Sequence, residues 1–259
     1  MSADLVQPFL QVKGVKKKYG SVEALRGISL SVYTGEVLAI VGDNGAGKST
    51  IIKILSGAIS PDSGEIIIAG KHYQRLQPRE AIAAGISTVY QDLALVNTLD
   101  IADNIFLGRE HLKHGFTLDR KRMHRESTEL LRQLGIKIPI IQTEVSYLSG
   151  GQRQGVAVAR VVHQGGKLLI FDEPTAAMGI NETRAVLRLI KSLAENGFGV
   201  VVISHNMDQV FDISDRICVM RQGEIVGQVK TDEVDPQDVV AMITGAAVLR
   251  ETSDDRGSK

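Results

Sequence analysis

The residues of this chain best suited to chemistry lie between positions 42 and 50. Gly42, four residues that include Asn44 and Gly45, and then Gly47-Lys48-Ser49-Thr50 form a P-loop spacing. It sits between an apolar run at 37–41 and a helical pattern carrying Ile51, Ile52, Ile54 and Leu55. Glycines let the backbone wrap a polyphosphate with its N–H groups pointing inward, where a side chain would block the approach. The start of the following helix adds partial positive charge. Lys48 is spaced to reach the β- and γ-phosphates, and the Ser49 hydroxyl to take one position on Mg²⁺. Nucleotide binding is the chemistry this stretch implies.

A second apolar run, Leu168-Leu169-Ile170-Phe171, ends in the acids Asp172-Glu173. In open α/β folds ligands gather at the carboxyl ends of central strands, which brings such acids beside a P-loop. Asp172 is then the natural Mg²⁺ partner, directly or through water. Glu173 is placed to polarise a water for attack on the γ-phosphate. A nucleoside triphosphate and Mg²⁺ are therefore the expected ligands.

Positioning these motifs requires a particular order of elements. Alternating strand and helix patterns predict a mostly parallel α/β core sheet. Strands at 9–15 and 27–32 precede it, and in the second Ile28, Leu30 and Val32 alternate with Ser29 and Ser31. That alternation predicts a half-buried N-terminal antiparallel β layer. From 91 to about 150 strand signals vanish, and 120–134 carries Met123, Leu130, Leu131 and Leu134 on one helical face. An inserted helical subdomain at about 92–150 is the expectation. The core resumes with helices at 151–163 and 181–196, a strand at 199–203, a closing hairpin at 216–229 and a last helix at 235–243. One domain over 1–247 and a polar tail at 248–259 follow.

Composition narrows the partners. The chain has 259 residues, with 30 basic and 30 acidic side chains in balance, so nothing pulls it generally toward nucleic acid. Its one cysteine, Cys218, lies in an apolar run and reads as a buried, inert thiol. His111 and His114 lack the further ligands that a metal site needs, and read as solvated. No signal peptide and no apolar run long enough to span a bilayer is visible, which predicts a soluble cytoplasmic protein.

Upstream of the acid pair stands Leu148-Ser149-Gly150-Gly151-Gln152. With the P-loop and Asp172-Glu173 in matching order, it resembles the signature motif of ATP-binding cassette (ABC) ATPases. The resemblance implies the P-loop NTPase fold of an ABC cassette and a second anion site built by Ser149, Gly150, Gly151 and Gln152. In that family the signature of one subunit meets the P-loop of the other across a head-to-tail homodimer, with ATP between them. It further implies that Tyr19 stacks on adenine, that Gln91 contacts Mg²⁺ and the attacking water, and that His205 contacts the γ-phosphate. Gly179 stands where the family usually has an aspartate that couples the two sites, so weaker coupling and a looser loop are expected there.

The resemblance spans about residues 9–245. Stretches such as Ile101-Ala102-Asp103-Asn104-Ile105-Phe106-Leu107-Gly108-Arg109 are similar to the ATPases of bacterial monosaccharide importers of the ribose, xylose and fructose type. The single cassette here is most like the fructose type. The implied function is energy coupling, with integral membrane permease subunits and, indirectly, a periplasmic sugar-binding protein as partners, and a peripheral place on the inner membrane face. Two other functions compete: a soluble ABC ATPase of DNA repair or translation, and a nucleotide-gated switch without turnover. The short, heptad-free insert argues against the first and Glu173 against the second.

Overall fold

The computed structural model describes residues 7–138, 140–176 and 178–246, so the expected tail at 248–259 lies outside them. Strand β1 (Leu10–Tyr19) pairs antiparallel with β2 (Val22–Val32) and with β4 (Ser63–Ile68), which turns back into β5 (Lys71–Tyr73). They form a four-stranded antiparallel sheet in the order β2-β1-β4-β5. Ile28, Leu30 and Val32 are buried where the serines between them are not, as the period-two pattern requires.

The second sheet has six strands. Across it run β12 (Glu224–Lys230), β11 (Arg216–Arg221), β3 (Val37–Gly42), β10 (Gly199–Ile203), β9 (Leu168–Asp172) and β6 (Ile86–Val89). All neighbours are parallel except the edge pair β11–β12. The central strands lack polar alternation because both faces are covered. Leu168 and Ile170 of β9 enter one apolar cluster with α1 (Lys48–Leu55) and the antiparallel layer. Leu169 and Phe171 enter a second cluster with α5 (Gly150–His163) and α6 (Ile180–Glu195). Cys218 is fully buried, and burial pushes its thiol up to about 12.

Between β6 and β9 lie α3 (Ile101–Phe106), α4 (Arg120–Gln133) and α5. Two departures from expectation occur. Strand signals do not vanish there: β7 (Leu112–Lys113) and β8 (Thr117–Leu118) form a small hairpin, too short for any period-two pattern to show. His111 is also not simply solvated, since its Nε2 lies 2.7 Å from the Glu126 carboxylate. Among the described residues, no group of three or more His, Cys, Asp or Glu could hold a metal ion. The remaining helices are α2 (Pro78–Ala83), α7 (Met207–Ile213) and α8 (Pro236–Thr244).

Asn104, on α3, is fully buried and anchors the segment that follows β6. Its Oδ1 accepts from the Val96 N–H at 2.8 Å, and its Nδ2 donates to the carbonyls of Val96 and Asp100 at 3.0 and 2.9 Å. Asn104→Ala removes these hydrogen bonds and leaves a gap at a fully buried position. A loss of about 3 kcal/mol of unfolding free energy is expected in urea titration.

Candidate functional site

Four parallel strands deliver the candidate residues to one edge of the sheet. Ile203 of β10 lies beside Ile40 of β3 on one side and Asp172 of β9 on the other, and Val89 of β6 lies beside Phe171. The P-loop leaves β3, Asp172 and Glu173 end β9, His205 follows β10, and Gln91 follows β6. All four therefore leave the sheet at its carboxyl edge.

The loop itself is shaped by glycine. A Cβ on Gly42, at φ +152°, would collide with the Met220 carbonyl. At Gly47, at φ +105°, it would lie 2.7 Å from the Ala24 carbonyl oxygen and 2.8 Å from Leu25 Cδ2. Strand β2 thus presses on the loop from behind, at the end where Tyr19 and Val22 pair. Tyr19 is 47% exposed there, with the Lys17 ammonium 5.8 Å from its ring.

Ala46 N–H donates to the Asp43 carbonyl, and Thr50 N–H to that of Gly47. Among the described residues no protein acceptor meets the N–H groups of Gly45, Gly47, Lys48 and Ser49. A run of unanswered N–H groups at a helix start suits a phosphate. Lys48 Nζ donates to the carbonyls of Gly42 at 2.6 Å and Asp43 at 3.0 Å. Burial lowers the Lys48 pKa, opposed by the charges of Glu173, Asp43 and Asp172. Burial and then the Glu173 charge raise that of Asp172. A cation arriving between these acids would meet a carboxylate that is poorly solvated, and so readily traded onto a metal.

Glu173 holds an uncommon left-handed backbone, φ +49°, while its N–H donates to the Ile203 carbonyl at 3.0 Å. Such strain persists only where neighbours impose it, and it concentrates at functional positions. His205 Nδ1 lies 3.2 Å from Glu173 Oε1. Thr175 Oγ1 donates to Gln209 Oε1 at 2.6 Å, tying the loop after Glu173 to α7.

The signature residues are differently engaged. Ser149 caps α5, with its Oγ accepting from the Gln152 N–H at 3.4 Å while Gln152 Oε1 accepts from the Ser149 N–H at 3.0 Å. Gly150 N–H donates at 3.1 Å to Glu182 Oε1, whose other oxygen accepts from the Gly179 N–H at 3.4 Å. One carboxylate therefore joins the signature to the loop before α6. Sequence reasoning passed over Glu182, whose carboxylate reaches back from the third helical position to the Gly179 N–H; glycine supplies no side chain to return the bond. The neighbours of Ser149, Gly150, Gly151 and Gln152 are Glu182 and α6, not the P-loop of the same chain. Gly179 has an ordinary extended backbone at φ −71°, with open space where a Cβ would stand. Any residue can adopt that backbone, so glycine's access to positive φ is not in use at this position.

The unanswered N–H groups and Lys48 suit the phosphates of a nucleotide. The family profile of the ABC transporter matches residues 25–176. The fructose import ATP-binding protein FrcA of Rhizobium meliloti is 48% identical over 247 residues, covering 93% of this chain and 95% of that protein. The xylose/arabinose import ATP-binding protein XylG of Sulfolobus acidocaldarius is 45% identical, covering 92% and 95%. A solved ADP conformation of an ATP-binding cassette of an ABC transporter superposes with a TM-score of 0.80 at 25% identity, covering 92% and 99%. Strand order, loop geometry and sequence agree, and the chain belongs to the ABC transporter family.

Proposed function

We propose that this chain is the ATP-hydrolysing subunit of an ABC importer for a monosaccharide, working as a head-to-tail pair of copies. The observation that carries this reading is the meeting of the P-loop, Asp172, Glu173 and His205 at one sheet edge, while Gly150 of the signature is hydrogen-bonded to Glu182 of its own α6. A signature without a P-loop beside it calls for a second copy. The alternatives of DNA repair, translation or a silent switch gain no support from relatives named as import ATP-binding proteins.

In this mechanism the N–H groups of the P-loop and Lys48 orient the triphosphate, and Tyr19 stacks on the adenine. Ser49, Asp172 and Gln91 offer the oxygen donors that suit Mg²⁺, which when bound neutralises charge across the β- and γ-phosphates. Glu173 takes the proton of the attacking water. His205, hydrogen-bonded to Glu173, holds the carboxylate toward that water and reaches the γ-phosphate. Ser149 and the glycines after it, from the partner copy, close on the γ-phosphate from the other side. No helix among the described residues is long and apolar enough to cross a membrane. In line with relatives named as import ATP-binding proteins, permease subunits carry the sugar, a periplasmic binding protein delivers it, and this chain works from the cytoplasmic side.

Reconstitution with its permease and binding protein tests the sugar. Phosphate release is expected to rise several-fold with one of fructose, xylose or ribose, the factor being about that of a typical allosteric coupling. Hydrolysis indifferent to every monosaccharide would remove the sugar from this reading while leaving the ATPase intact.

A further inference from the structure

The β7–β8 hairpin plays no part in the chemistry above, yet it is a built feature. His114 and Gly115 both take positive φ, at +51° and +84°, which turns the chain tightly. Phe116 N–H and Thr117 Oγ1 both donate to the Lys113 carbonyl, at 3.3 and 3.2 Å. Asp119 N–H donates to the His111 carbonyl at 2.7 Å and shuts the base. This frame thrusts Phe116 into solvent, 85% exposed. Leu112 and Leu118 are cross-strand partners and so leave the same face, 55% and 43% exposed. Scattered apolar side chains are normal at a surface, but three on one fixed tip are not.

The sequence around this tip is basic. Residues 107–125 hold Arg109, Lys113, Arg120, Lys121, Arg122 and Arg125 against Glu110 and Asp119, a net +4 in a chain of net charge 0. Lys113 is paired with Asp119, Arg120 with Asp103 and Arg122 with Glu126. Among the described ion pairs, Lys121 and Arg125 have no acidic partner. Protein interface cores are depleted in lysine and charge, whereas an aromatic tip flanked in sequence by Lys and Arg matches the headgroup region of an anionic leaflet.

We infer that the β7–β8 hairpin is a membrane-interface anchor, with Phe116, Leu112 and Leu118 entering the headgroup layer and the surrounding cations pairing with anionic phospholipid. The contact is interfacial and reversible, since so few apolar side chains give weak partition. It goes beyond the transport reading, and its readout needs neither ATP nor sugar.

The chain contains no tryptophan, so Phe116→Trp in the full chain gives a single fluorescent reporter at the tip. Vesicles with about 30% phosphatidylglycerol are expected to shift its emission to the blue, and brominated lipid to quench it. Pure phosphatidylcholine should give neither effect, and raising salt to about 0.5 M should reverse both. Adding Lys121→Glu and Arg125→Glu should weaken partition about tenfold or more with basal hydrolysis unchanged, which also reports intact folding. Emission unaltered by anionic vesicles, or equal with phosphatidylcholine, would overturn the anchor. So would a blue shift seen only with detergent-solubilised permease and unquenched by brominated lipid in the reconstituted transporter, because a protein would then be the occupant.

Discussion

Glu173→Gln is expected to lower Mg²⁺-ATP turnover by about a thousandfold while ATP binding persists. The amide keeps the shape and burial of the carboxylate and can still hydrogen-bond His205, 3.2 Å away in the native chain. What it cannot do is accept a proton from water. No P-loop hydrogen bond is touched, because Lys48 is held by the carbonyls of Gly42 and Asp43. The left-handed backbone at this position is equally open to Gln, so the variant should fold. Single-turnover phosphate release beside nucleotide titration would measure both halves. Turnover within a few-fold of native would take the base away from Glu173.

Lys48→Ala and Ser149→Ala should both fall by roughly a hundredfold in rate, the cost typical of losing one transition-state phosphate contact. They should part company in affinity. Lys48 lies in the loop whose unanswered N–H groups suit the phosphates of its own nucleotide, so its removal should weaken binding to the isolated chain. Ser149 is tied to Gln152 at the start of α5 and contacts no P-loop residue of its chain. Its loss should leave affinity nearly unchanged, since it acts only when two copies close. Calorimetric titration of ATP into each variant separates the two effects, and equal affinity losses would contradict the division.

The core of the fold was legible because its signals are long or chemically peculiar. The both-face burial of β9 and β10 wrote itself as unbroken apolar runs, and Ile28, Leu30 and Val32 announced a half-covered sheet. The P-loop and the acid pair were legible from residue type and spacing alone. What escaped has a common cause. Helix α3 buries every one of its residues, Asp103 and Asn104 among them, so its polar members masked it. Asn104 is a core residue by virtue of hydrogen bonds that no periodicity encodes. Helix α7 buries only Val210 and Ile213, too little for an amphipathic stripe. Glu182 was missed because its importance comes from reaching Gly150, which lies 32 positions away in sequence. At Gly179 the residue type alone gave no geometry, since glycine there takes a backbone open to any residue.

The central claim is that each reactive site is shared, one copy giving the P-loop and the other the signature. Mixing inactive Lys48→Ala with inactive Ser149→Ala tests it most directly. In a mixed pair one site carries both lesions and the other carries neither. Statistical exchange of equal amounts should therefore restore hydrolysis to about a quarter of native, given independent sites related by two-fold symmetry. A mixture that stays as inactive as its two components at every ratio, with exchange verified by mass, would contradict the shared site.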